Sequence, residues 1–319
     1  MHFTKAAKTI QRVLLRALAW PALQLQLAVL GLLSLAWASV ALLLYPLVPR
    51  QTGLRVGRSM ISFGYRGFWR LARCSGMLRL NAQALDRLRD EAGLVIVANH
   101  PSMLDALMLV ARLPRSACVM KASLVRNPFL GPGARLARYI RNDSPRSMVR
   151  LAVSDLQAGG QLLLFPESTR STRWPVNDFS AAFTLIAQRA KVPIQTVFIE
   201  SDSPYLRKGW PMWRLPPLPI VFEVRLGERF DAGNDHQARC AEIQQYFETG
   251  LGFGRPWDAS AVHPVTDQQG LHMQRPRAPA GMAHGAQPAV GLQRLTSKPP
   301  GGPSLAAGAD RAARFEVLP

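Results

Sequence analysis

The chain has 319 residues, 39 Lys and Arg against 20 Asp and Glu, a net charge of +19 and a pI near 11.2. That length holds one domain of ordinary size with additions. Cys74, Cys118 and Cys240 have no metal-binding spacing and cannot all pair, which argues against a disulfide scaffold and for a reducing compartment.

The basic charge is concentrated at the amino terminus: residues 1–80 carry eleven basic side chains and no acid, and the first acid is Asp86. Lys5, Lys8, Arg12 and Arg16 precede an uncharged apolar run over 27–48. The run is about long enough to cross a hydrocarbon core of roughly 30 Å. Trp20, Trp37 and Tyr45 would lie at interface depth. Residues 45–50 lack the small side chains of a signal-peptide cleavage site. Arg50, Arg55, Arg58, Arg66, Arg70, Arg73 and Arg79 follow, so basic residues flank the run on both sides. Both flanks are therefore expected to face the cytoplasm. A helical hairpin broken near Pro21 or Gly31 and dipping into one leaflet satisfies that. Residues 59–73 mix aromatics with arginines, as a basic helix on anionic lipid does; a solvated helix of the globular domain is the plainer alternative. Residues 1–77 are read as a basic, membrane-anchoring helical region.

Residues 78–254 alternate strand-like and helix-like segments. Strands are expected at 77–80, 94–98, 117–120, 161–165, 194–199 and 220–226, with another at 136–140. Helices are expected at 81–92, from Pro101 to about 113, at 146–158 with Met148, Leu151, Ala152 and Leu156 inward, at 179–190 with Phe179, Phe183 and Ile186 inward, and at 234–251. This is α/β order, a mixed sheet covered by helices. Beyond 254, Pro, Gly and Ala dominate without apolar periodicity, and 255–319 is read as a disordered tail. His263, His272 and His284 stand there at spacings that give no metal role. No metal or cofactor is expected anywhere in the chain.

The chemistry gathers where apolar strands end. Asn99 and His100 follow the strand 94–98, at the carboxyl end where open α/β sheets place their sites. Asp105 lies in the first turns of the next helix, from which its carboxylate can reach back to the imidazole. A carboxylate on one ring nitrogen fixes the tautomer and stabilises the imidazolium; the other nitrogen is then free to take a proton from a hydroxyl. A His beside a helix start and an Asp favouring its dipole would also fit. After the strand at 161–165 come Glu167, Ser168, Thr169, Arg170 and Arg173. The planar fork of Arg suits a phosphate, and the two hydroxyls add neutral donors; a surface turn with a Glu–Arg pair is the plainer reading. Arg141, Asn142 and Asp143 read, on their own, as a turn before a helix.

Asn99-His100-x4-Asp105, Lys121 with Asn127-Pro128-Phe129-Leu130-Gly131, Tyr139-Ile140-Arg141, Phe165-Pro166-Glu167-x-Thr169-Arg170-Ser171 and Val192-Pro193-Ile194 occur in that order. Together they resemble the glycerolphosphate acyltransferase superfamily, particularly its bacterial 1-acylglycerol-3-phosphate acyltransferases, over about 78–250. The resemblance implies that His100 is the general base, that Asp105 orients it, and that the acceptor hydroxyl attacks the acyl thioester directly. It implies that Arg170 holds the acceptor phosphate, that Glu167 positions the acceptor and that Arg141 contributes to acceptor binding. Lys121, with Asn99 or nearby backbone N–H groups, would serve the oxyanion, and Val192-Pro193-Ile194 would shape the acyl or acceptor pocket. The family's third motif has Gly where this chain has Ser168. If that position needs a positive φ, Ser is unfavourable there.

The expected activity is acyl transfer from acyl-CoA or acyl carrier protein to a lysophospholipid, 1-acylglycerol-3-phosphate giving phosphatidate. The expected location is the inner membrane, with the catalytic domain facing the cytoplasm and lipid, not nucleic acid, as partner. Transfer to a different lipid or specialised metabolite, or non-catalytic binding to anionic membrane surfaces, are the alternatives.

Overall fold

The computed structural model describes residues 2–252, with side chains from Leu18 onward. The expected tail 255–319 and its histidines lie outside the described residues.

Helix α1 (His2–Leu47) runs without interruption through Pro21 and Gly31, so the expected break near those residues is not present. Pro21 removes one helical donor. Pro46 and Pro49 remove two within one turn, and there the helix stops. Helix α2 (Arg50–Cys74) begins directly after Pro49. Its buried residues, among them Gly57, Arg58, Ile61, Phe68, Trp69 and Ala72, occupy one face. Gly57 permits a close crossing: a Cβ there would stand 2.6 Å from the Ala137 nitrogen, just past helix α4 (Gly131–Leu136).

A seven-stranded sheet lies at the centre. Its strands are β1 (Leu78–Asn81), β2 (Leu94–Ala98), β3 (Ser116–Met120), β4 (Ile140–Arg141), β5 (Gln161–Leu164), β6 (Ile194–Ser201) and β7 (Ile220–Phe230). Their spatial order is β1-β7-β6-β2-β5-β3-β4. All pairs are parallel except β6 with β7. The central strands β2 and β5 are buried at every position, which explains their unbroken apolar runs.

Helices cover both faces. On one, α1, α2 and α3 (Asp105–Arg112) pack residues such as Leu23, Phe68, Trp69 and Met108 against Ile96, Ala98 and Phe222. On the other, α5 (Pro145–Gln157), α6 (Ala182–Ala190) and α7 (His236–Gly252) pack Ala152, Leu156, Phe183, Ile186, Ile243 and Phe247 against Val95, Val97, Leu162 and Phe198. The expected mixed sheet covered by helices is therefore present.

Several local expectations change. Residues 136–140 are mostly not strand: α4 ends at Leu136, and β4 is the two residues Ile140 and Arg141. Residues 83–88 form a 3-10 helix rather than an α-helix over 81–92. Pro101 precedes a turn, and helix α3 starts at Asp105. Leu151 is exposed; Val149 takes the inward position beside Ala152 and Leu156.

Candidate active site

Two loops leave the carboxyl ends of the neighbouring parallel strands β2 and β5, in which Val97 is in register with Leu164. Counting three residues onward from each places His100 opposite Glu167. The contact follows directly: the His100 backbone N–H donates to Glu167 Oε1 at 2.8 Å. Glu167 Oε1 also accepts from the Ser171 hydroxyl at 2.8 Å, and Oε2 accepts from the Asn177 N–H at 2.9 Å. The His100 carbonyl in turn accepts from the Ser171 N–H at 2.7 Å. The backbone at His100 is thus fixed on both sides by the loop after β5.

The His100 ring is fixed as well. Its Nδ1 lies 2.9 Å from Asp105 Oδ2, which also accepts from the Ser102 N–H at 2.7 Å. Its face stacks on Phe165, with centroids 4.1 Å apart and planes 19° from parallel. Asp105 is completely buried and His100 one-fifth exposed. Burial pushes the Asp105 carboxyl above its ordinary range, while the His100 contact and the Ser102 N–H pull it down. Burial also raises Glu167, against the pull of the Asn177 and His100 N–H groups and the Ser171 hydroxyl. With the Nδ1 side occupied by Asp105, the ring's other nitrogen is the one left for chemistry.

His100 stands on the wall of a cleft of about 960 Å³. The cleft is lined by Leu27, Leu30 and Trp37 of α1, Ile61 and Tyr65 of α2, Leu104, Leu107 and Val110 beside or on α3, and Cys118 and Val119 of β3. Lys121, Ser168 and Arg170 also line it. Its walls are mostly apolar, and the polar groups cluster at the carboxyl ends of the strands. Among the described residues no group of three or more His, Cys, Asp or Glu side chains is placed to hold a metal ion.

The remaining candidate residues separate by position. Asn99 is directed into the sheet: its amide donates to the Ile199 carbonyl at 2.8 Å and accepts from the Ile199 N–H at 2.7 Å. It does not line the cleft, because both ends of its side-chain amide are held by the β6 backbone. Glu167 and Thr169 are not on the cleft wall either. Arg141 is exposed, next to Asp143 at 3.3 Å, and also lies off the wall. Arg170 Nη1 donates to the Leu206 and Arg207 carbonyls at 2.9 and 3.2 Å. The Val192-Pro193-Ile194 segment lies at the opposite end of the sheet, since the Pro193 carbonyl accepts from Val95 at the amino end of β2. There Val192 and Pro193 line a separate pocket of about 400 Å³ and not the cleft beside His100, so the expected place at the acyl or acceptor pocket is corrected.

Ser168 has φ +58°, the left-handed conformation that Gly adopts without cost. The condition attached to the family's Gly position therefore applies here. Sequence reading assigned no role to Ser102, Phe165 or Asn177, and none at the site to the segment after β6. That segment carries the buried Tyr205, and the Leu206 carbonyl accepts from the Met103 N–H at 3.1 Å. Only Ser102, three residues before Asp105, carried a local signal, that of a helix-start residue.

An acyltransferase family model matches residues 79–200. The 1-acyl-sn-glycerol-3-phosphate acyltransferase of Pseudomonas aeruginosa is 24% identical to the chain over 221 residues, 66% of this chain and 81% of that protein. The protein of the same name from Limnanthes douglasii is 28% identical over 136 residues, 40% of this chain and 47% of its own length. The match thus spans about half of the plant acyltransferase. The crystal structure of the 1-acyl-sn-glycerophosphate acyltransferase from Thermotoga maritima matches with a TM-score of 0.56 at 18% identity, covering 76% of this chain and 99% of that one. The chain shares that α/β fold, and its long apolar amino-terminal helix lies before the family-matched segment.

Proposed function

We propose that the protein transfers an acyl group from a thioester, of CoA or acyl carrier protein, to the hydroxyl of a lysophospholipid, 1-acylglycerol-3-phosphate giving phosphatidate. The observation that carries this is the His100–Asp105 pair on the wall of a largely apolar cleft. The free ring nitrogen of His100 takes the proton of the acceptor hydroxyl as its oxygen attacks the thioester carbonyl. Asp105 holds the ring and stabilises the imidazolium that forms. The tetrahedral intermediate then collapses, the C–S bond breaks, and His100 returns the proton to the departing thiolate. No acyl-enzyme is needed. Lys121 on the wall, or backbone N–H groups, serves the oxyanion. Arg170, on the cleft wall, supplies charge for the acceptor phosphate. Glu167 acts through His100: its oxygens are turned to this chain's own donors, which makes it a positioning residue.

Helix α1 is the membrane anchor in this reading, with the catalytic domain on the cytoplasmic side of the inner membrane. The most apolar 18-residue window within residues 18–47 has a mean hydropathy of 2.4, and only 11% of that window is buried against the rest of the chain.

The test is acyl transfer by purified protein in lipid, with acyl-CoA and acyl carrier protein thioesters offered together with lysophosphatidate. Phosphatidate formation that falls by about 10²–10⁴-fold in a folded His100→Ala variant supports the assignment. Consumption of thioester only with another acceptor keeps the chemistry and replaces the acceptor. Full activity in His100→Ala overturns the mechanism.

A further inference from the structure

The cleft beside His100 reaches both faces of the sheet. Cys118 and Val119 are consecutive in β3, Leu164 and Phe165 are consecutive at the end of β5, and all four line it. Consecutive residues of a strand point to opposite faces. Cys118 and Phe165 pack with the residues under α1, α2 and α3; Val119 and Leu164 pack with those under α5, α6 and α7. The cleft therefore passes over the carboxyl ends of β3 and β5 and continues on the second face. There Asn142, Met148, Ser180 and Ala182 line it.

The two lobes differ in character. The first is apolar and is walled by α1. In the second, Met148 and Ala182 are half-buried, and Asn142 and Ser180 are exposed. The Asn142 amide oxygen accepts from the Ala122 N–H at 3.1 Å, which leaves its own N–H groups to an occupant. Arg141 and Arg146, on either side of Asn142 in the chain, are exposed as well. A hydrocarbon chain lying here would keep much of its surface in water, so its burial would gain little. An occupant that alternates short apolar stretches with amides fits better. Met148 and Ala182 cover the first, and Asn142 and Ser180 bond the second.

An acyl thioester is linear, with the acyl chain on one side of the reacting carbonyl and the carrier arm on the other. With that carbonyl at His100, the two halves leave in different directions, as the two lobes do. The second lobe also lies on the face without α1, where a water-soluble carrier arrives. We propose that this lobe binds the pantetheine arm, the diamide linker that CoA and acyl carrier protein share, while the acyl chain occupies the first. This rests on the acyl-transfer reading above and assigns the donor a path through the site. Met148 and Ser180 then bind the donor and take no part in moving the proton.

The experiment offers the full chain, in lipid, lysophosphatidate and one acyl group on CoA, acyl carrier protein, pantetheine or N-acetylcysteamine. The last keeps the thioester and the nearest amide and lacks the rest of the arm. Wild-type kcat/KM is expected to be about tenfold or more higher with acyl-pantetheine than with the N-acetylcysteamine thioester. In Ser180→Trp and Met148→Trp, the KM for acyl-pantetheine is expected to rise about tenfold or more, while that for lysophosphatidate holds within about twofold. Ser180 is exposed, so Trp there fills the lobe without repacking the core, and it decides if Met148→Trp fails to fold. Acyl-CoA and acyl carrier protein should lose by the same factor as acyl-pantetheine; a loss confined to one of them overturns recognition of the shared arm. Equal use of pantetheine and N-acetylcysteamine thioesters, or an unchanged KM for acyl-pantetheine in Ser180→Trp, overturns the inference while acyl transfer stands. A rise in the lysophosphatidate KM alone gives the lobe to the acceptor's own chain and also overturns it. If no thioester is consumed with any acceptor, the acyl-transfer reading fails and this inference falls with it.

Discussion

Asp105 is a carboxylate with no exposed surface, and one of its oxygens, Oδ1, has no hydrogen-bond partner among the described residues. Its carboxyl is raised chiefly by burial. A group whose folded-state pKa lies above its unfolded value contributes stability that is present at acid pH and lost as pH rises through the raised value. Asp105 therefore weighs against the fold from the ordinary aspartate range upward. Asp105→Asn removes that dependence. Denaturant titrations at several pH values should show the variant gaining on the wild type as pH rises from about 4 towards 7. Acyl transfer should fall over the same range by about 10²–10⁴-fold, because the Asn amide cannot stabilise an imidazolium. Ser168 gives a smaller and opposite case. Its left-handed backbone costs about 1–2 kcal/mol in an L-residue. Ser168→Gly should raise the unfolding free energy by up to about 1 kcal/mol after the greater freedom of Gly in the unfolded chain is subtracted. A loss of stability on calorimetry would show that the Ser168 hydroxyl does more than tolerate its position.

Those two residues also mark what could be read without coordinates. His100 and Asp105 are five apart, and the strand-turn-helix signal around them is local, so their meeting follows from sequence. Ser168 could be identified as a backbone problem only by reference to the family's Gly. Glu167 was visible as a motif residue, but not its partner. Its contact with His100 depends on β2 and β5 lying side by side in a set register, and no run of adjacent residues encodes that.

At the scale of elements, the same distinction recurs. Strands β2 and β5 declare themselves by unbroken apolar runs. Helix α4 does not: six residues make less than two turns, too few for periodicity to show, and Leu136 with Ile140 imitates a strand. Residues 59–73 of helix α2 read as a basic helix on lipid or as a solvated helix of the globular domain, and Arg58, just before that stretch, is core. Arg58 is 3% exposed and makes a two-point contact with Asp155 of α5, at 2.7 and 3.1 Å. It also donates to the Ala137 and Arg115 carbonyls at 3.1 and 2.9 Å. One guanidinium therefore joins α2 to α5, to the end of α4 and to the entry of β3. Composition alone places every arginine on the surface, so this pairing was not legible. Arg58→Met leaves Asp155 and two carbonyls without their donor and should cost about 3–5 kcal/mol in chemical unfolding. The double variant Arg58→Met with Asp155→Leu should recover part of the loss, since a buried pair replaced as a whole is far less costly than a pair broken.

At the scale of all the described residues, the apolar helix and the sheet domain share surfaces. Leu18, Leu25, Leu32, Leu33, Leu42, Leu43 and Leu47 of α1 are exposed. Trp213, in the segment between β6 and β7, is 73% exposed, and its carbonyl accepts from the Trp20 indole at 2.7 Å. The neighbouring Met212 carbonyl accepts from Gln24 at 2.9 Å. An aromatic pair at one level of an apolar helix is how membrane proteins mark the interface. Trp213→Ala should weaken partition into anionic vesicles measured by flotation, and should do so without changing the melting temperature, because so little of the side chain is packed.

Leu27, Leu30, Gly31, Ser34 and Trp37 of α1 form one wall of the cleft. The remaining faces of the same turns look outward. In the membrane-anchored reading, the helix that meets lipid on one side therefore meets the acyl chain on the other. A helix of 46 residues is about 69 Å long, and a span longer than the surrounding hydrocarbon is tall accommodates by tilting. Tilt of α1 moves that wall relative to α3 and β3, which the rest of the fold holds still. In the acyl-transfer reading, chain-length preference should then drift with the hydrophobic thickness of the bilayer around the protein, and the surrounding membrane would set in part which chains are transferred.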